Sequence, residues 1–136
     1  MDVAGLITWL ITAIGGFLLL GTWIGHGGHR RDTSPPSRLP AGVVFGHFLL
    51  AAVGLVLWIV YVVADTDGLA WPAFAVIAVV ALLGFTMFFR WVPQVRERGS
   101  TNVMTAEAEF PVSIVVLHGL LAATTLILVL LAATSA

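Results

Sequence analysis

The chain has 136 residues, 60% of them hydrophobic and only 10% charged, with a formal net charge of −1 and a mean hydropathy of +1.06. That composition excludes an ordinary soluble domain, which keeps about a quarter of its residues charged, and it offers no basic excess for nucleic acid. Cysteine is absent, so disulfides and thiolate metal sites are excluded as well.

Four apolar runs, at about 3–24, 42–64, 71–91 and 111–133, are each long enough to cross a hydrocarbon layer of about 30 Å as a helix of ~20 residues. Lipid cannot satisfy backbone N–H and C=O groups, so each run is predicted to be helical, and strand alternation is absent. The expectation is a single all-α transmembrane domain over 1–136 with up-down-up-down topology. Its primary partner is the lipid bilayer.

The first run opens Met1-Asp2, without a basic leader or a small-residue cleavage motif, and reads as a membrane helix rather than a signal peptide. It carries Gly15, Gly16, Gly21 and Gly25, small residues that let a backbone or a flat ligand approach. It ends in Gly25-His26-Gly27-Gly28-His29-Arg30-Arg31, and the Pro- and Ser-rich stretch 32–40 then reads as a loop. The second run ends near Trp58 and Tyr61, amphipathic rings suited to an interface. A short turn, Asp65-Thr66-Asp67-Gly68, makes the second and third runs antiparallel neighbours. The third run closes on Phe88-Phe89-Arg90-Trp91 before Pro93, an aromatic girdle read as lipid-facing. In the next loop, 101–109 is predicted to hold a short surface helix capped by Thr101 or Asn102. Glu107 and Glu109 read there as solvated charges pairing with Arg96 or Arg98.

All six basic residues fall in two loops, Arg30, Arg31 and Arg38 in one and Arg90, Arg96 and Arg98 in the other. The positive-inside rule places both loops in the cytoplasm and both termini outside a plasma membrane.

One phrase occurs twice. From His47 the chain reads His-Phe-Leu-Leu-Ala-Ala-Val-Gly-Leu-Val-Leu, and from His118 His-Gly-Leu-Leu-Ala-Ala-Thr-Thr-Leu-Ile-Leu, with seven of eleven positions identical. Gly16-Phe17 and Trp23-Ile24 are echoed by Gly84-Phe85 and Trp91-Val92. The pattern implies two tandem two-helix repeats. Each His stands about 10 Å above the start of its helix, so a pseudo-two-fold axis would oppose the two imidazoles at one depth.

An ionisable side chain at membrane depth is costly and points to a partner. Two opposed imidazoles suit haem iron, with Gly16 and Gly21 leaving room for a ring face and Arg38 and Arg90 pairing with propionates. The arrangement resembles the cytochrome b type of four-helix bundle and the cytochrome b561 class, and it is also similar to small actinobacterial four-helix membrane proteins with no assigned activity. The cytochrome resemblance implies b-type haem and electron transfer near the cytoplasmic leaflet, with quinone as a candidate partner. Those families carry a second His further along each ligand helix, where this chain has Tyr61 and about Ala132, so one haem only is expected.

Two other readings stay open. The His pair could lock helix packing in a non-catalytic accessory or scaffold subunit of a membrane complex or homodimer. Alternatively, His26 and His29, spaced i, i+3, could bind Zn or Cu with Glu107 or Glu109. No nucleophile–base pair or phosphate loop is visible.

Overall fold

The computed structural model describes residues 1–100 and 104–136. It contains four α-helices, α1 (Asp2–Gly25), α2 (Ala41–Ala64), α3 (Ala70–Arg96) and α4 (Val112–Ala133), and no strand among the described residues. At 1.5 Å per residue the shortest, α4 with 22 residues, measures about 33 Å. All four are long and apolar enough to cross a membrane. Their outer surfaces carry Ile7, Leu18, Val56, Leu82, Leu120 and Ile127, all exposed, as a bilayer requires and water penalises.

The helix ends follow from local chemistry. Pro40 and Pro111 occupy the N-caps of α2 and α4 in extended conformation, where a missing N–H costs nothing. Asp65 ends α2 in the left-handed region at φ 51°. The expected stop at Trp91 is corrected: α3 runs through Pro93 to Arg96. Pro93 sits in the last turn, near the water-facing end, where the carbonyl it frees is accessible to other donors.

Helix α1 packs chiefly against α4 and α2 chiefly against α3; α3 meets α4 less extensively, and α1 meets α2 less again. Two layers result, α1–α4 and α2–α3. One apolar cluster joins the starts of α1 and α3 to the ends of α2 and α4 through Trp9, Trp58, Ala73, Ile77 and Val129. The other gathers Trp23, Val44, Trp91, Ala106 and Phe110 at the opposite helix ends. Trp58 (0% exposed), Tyr61 and Trp91 are core residues, not the interfacial or lipid-facing rings expected. Each has a small-residue or aromatic neighbour to fill against, as Trp58 has in Gly5 and Tyr61.

The loops are tied down by one buried carboxylate. Glu107 is fully buried in the short 3₁₀ turn Ala106–Glu109. It accepts from the Ser37 hydroxyl at 2.7 Å and the Arg38 backbone N–H at 2.6 Å. Ser37 in turn accepts from Trp23 Nε1–H at 2.9 Å. The expectation that Glu107 is a solvated loop charge is therefore overturned: a buried carboxylate persists because both oxygens receive donors. Glu109 is exposed, as expected. The 3₁₀ turn replaces part of the surface helix foreseen over 101–109, and its proposed caps, Thr101 and Asn102, lie outside the described residues.

Candidate functional site

Two histidines from different layers meet between the apolar clusters. His47 on α2 leans onto α3 and places Nδ1 2.9 Å from the carbonyl oxygen of Val80. His118 on α4 leans onto α1 and places Nδ1 2.9 Å from the carbonyl oxygen of Thr12. A carbonyl only accepts, so each Nδ1 carries the proton. In a neutral ring the lone pair then resides on Nε2. The ring centroids are 6.3 Å apart with planes inclined by 59°.

Glycine makes these bonds possible. In an α-helix the carbonyl of residue i accepts from the N–H of i+4, and the side chain at i+4 tilts back over that carbonyl. Four residues after Thr12 stands Gly16, and four after Val80 stands Gly84. With no side chain in the way, the imidazole reaches the carbonyl's second lone pair. A Cβ built on Gly16 would lie 3.2 Å from His118 Cε1, and one on Gly84 3.3 Å from His47 Cε1. Gly84 was missing from the expected site residues, although its echo of Gly16 was the available signal. The role expected of Gly16 is corrected in kind: it seats an imidazole. Gly21 is exposed, and a Cβ placed there would have no atom within 4 Å.

The spacing can be tested against a metal. A metal–imidazole nitrogen bond of about 2 Å, with about 1.1 Å from nitrogen to ring centre, puts two rings on opposite sides of one ion at about 6.2 Å between centroids. The observed centroid distance of 6.3 Å matches that value. A metal-binding His generally donates its other ring N–H to a carbonyl or carboxylate, which fixes tautomer and orientation. Both rings here do so. Both are also only partly buried.

The arginines lie at one end of the bundle. Arg38 contacts Glu97 at 3.7 Å. With the Gln94 amide oriented to donate to Thr105 Oγ1, its oxygen also accepts from Arg38 Nη1 and Nε at 2.9 Å. The Arg38 guanidinium is thus already engaged. Arg90 is exposed and donates through Nη1 to the Arg38 carbonyl at 3.1 Å.

His26 and His29 are not brought together around a ligand. His26 Nδ1 turns back to the Thr22 carbonyl at 2.8 Å, and the His29 ring lies edge-on to Trp23 at 6.5 Å. The glycines between them serve the turn: Gly27 adopts φ +77°, and Gly28 passes so close to Trp23 that a Cβ there would fall 2.2 Å from its Nε1. Glu107, the carboxylate expected to complete a Zn or Cu site, is committed to Ser37 and Arg38. Among the described residues no three metal-ligating side chains cluster.

No protein-family model, curated protein or solved structure matches the chain.

Proposed function

We propose that the chain holds one b-type haem through Nε2 of His47 and His118 and serves electron transfer near the cytoplasmic leaflet, with quinone as a candidate partner. The observation that carries this reading is the matched pair of Nδ1–carbonyl bonds presenting two imidazoles at bis-imidazole spacing. Haem in such a site supplies reversible one-electron exchange. The chain's own residues do the rest: Val80 and Thr12 fix the tautomers, and Gly84 and Gly16 fix the ring positions. A haem would be held between the two layers, by His118 of α1–α4 and His47 of α2–α3. Arg38 is withdrawn as a propionate partner because Gln94 and Glu97 occupy it.

The same contacts support the finer architecture. Thr12/Val80, Gly16/Gly84 and Trp23/Trp91 are each separated by 68 residues, and Pro40/Pro111 and His47/His118 by 71. Two tandem two-helix repeats in up-down-up-down order account for these pairs and for the sharing of helix ends in the two apolar clusters. The arginine-bearing loops orient that bundle with both termini outside the plasma membrane.

A second reading rests on the bonds alone: each imidazole staples the two helices of its own layer, α2 to α3 and α4 to α1, in a scaffold subunit. Absorption spectroscopy separates the two. Purified protein from haem-replete cells is expected to show a Soret band that shifts on dithionite reduction and disappears in both His47→Ala and His118→Ala. Protein that stays colourless after hemin addition, yet loses stability in both variants, would establish the staple and end the haem reading.

A further inference from the structure

A cavity of about 490 Å³ opens at the arginine-bearing end, lined by Ser37, Arg38, Pro40, Phe89, Arg90 and Pro93. We propose that it binds the phosphodiester of an anionic phospholipid, with Arg90 as the residue that holds the phosphate. The Arg38 carbonyl pins Arg90 Nη1 at 3.1 Å, which orients the guanidinium. No other hydrogen bond engages its Nε and Nη2 among the described residues. That N–H edge matches two phosphate oxygens at once. Arg38, which also lines the cavity, adds charge partly balanced by Glu97, so the cavity suits a singly charged anion.

The wall composition selects a lipid over free phosphate. Half of the lining is Phe89, Pro40 and Pro93, a poor setting for a small hydrated ion. Phe89 is 69% exposed, and Phe85, four residues earlier on the same helix face and 58% exposed, stacks with it at 6.4 Å. From the cavity this pair forms an apolar ridge running down α3 into the span, where an acyl chain would lie.

The test is lipid exchange on the intact protein in a neutral detergent, read by native mass spectrometry. Wild type is expected to retain phosphatidylglycerol about tenfold more than phosphatidylcholine, and Arg90→Gln to lose that preference. Arg90→Lys, which keeps the charge but not the fork, should retain only part of it. Arg31→Gln, removing an exposed arginine outside the cavity, should leave it intact. The preference should also persist in His118→Ala, which tests it independently of haem. The proposal is overturned by equal retention of the two lipids, by an Arg31→Gln loss matching that of Arg90→Gln, by competition from inorganic phosphate at equal concentration, or by loss of the preference in a folded His118→Ala variant.

Discussion

Alanine at three glycines of the bundle should have opposite effects on stability. At Gly16 the new Cβ would meet His118 Cε1 at 3.2 Å, and at Gly84 it would meet His47 Cε1 at 3.3 Å. Each is a few tenths of an ångström inside ordinary contact. The imidazole cannot simply retreat, because its Nδ1 is held 2.9 Å from a carbonyl one turn back on the same helix. Either that bond lengthens or the helix pair separates. Overpacking of this kind costs about 1–3 kcal/mol, and a weakened buried hydrogen bond adds up to about 1 kcal/mol. Against this, replacing a mid-helix glycine gains at most about 1 kcal/mol. A net loss of about 1–2 kcal/mol follows for Gly16→Ala and for Gly84→Ala. Gly21→Ala meets nothing within 4 Å and keeps the gain alone. Unfolding by SDS titration in one fixed detergent should therefore place Gly21→Ala at or above wild type and the other two clearly below it. Equal stability of all three, or a Gly21→Ala loss as large as the others, would refute the seating of the imidazoles by glycine.

Other substitutions address the loops and the ligands. Glu107→Gln keeps the volume but points an amide NH₂ at the Ser37 hydroxyl or the Arg38 N–H, so the same titration should show a loss of about 2–3 kcal/mol. Glu109→Gln, exposed, should stay within about 0.5 kcal/mol of wild type. Among the described residues Trp91 Nε1 is buried without a partner, and the residue 71 positions after Ser37, which serves Trp23, is Ala108. On the proposed repeat, Ala108→Ser would offer Trp91 an acceptor as Ser37 does Trp23, and should raise stability by about 1 kcal/mol. His47→Ala and His118→Ala, in hemin-reconstituted protein, should each abolish the low-spin bis-imidazole spectrum, since each residue would supply one of the two imidazoles.

The spans were legible because composition alone makes them so, and three of the four helices end within about two residues of their sequence-derived bounds. Pro93 misled because a proline near a helix end removes one bond without ending the helix. The two histidines were legible through the repeated phrase that each one heads. Their partners were not, since every residue offers a carbonyl. Only the glycine four positions later distinguishes Thr12 and Val80 from the rest. Glu107 escaped because a loop carboxylate beside arginines ordinarily stays in water. Its burial depends on Ser37 and the Arg38 N–H, some 70 residues away, and no local pattern reveals that. Trp91 was hidden for the same reason: an aromatic girdle and a core tryptophan have the same sequence.

The pairing across the two halves of the chain has a consequence that a simple two-helix hairpin would not share. His47 belongs to the first half of the chain, but its carbonyl partner and its glycine seat are on α3. His118 belongs to the second half, and its partners are on α1. Neither half therefore fixes its own imidazole. Gly16→Ala should disturb His118, 102 residues away, more than His47, only 31 residues away; Gly84→Ala should do the reverse. Nitrogen-15 NMR of histidine-labelled protein reads this directly, because the Nδ1–H resonance reports the length of the bond to the carbonyl. The signal that moves identifies which ring was displaced. If Gly16→Ala shifts the His47 resonance and leaves His118 in place, the helices are paired differently, and the two imidazoles are no longer held in the mutual arrangement that a shared metal requires.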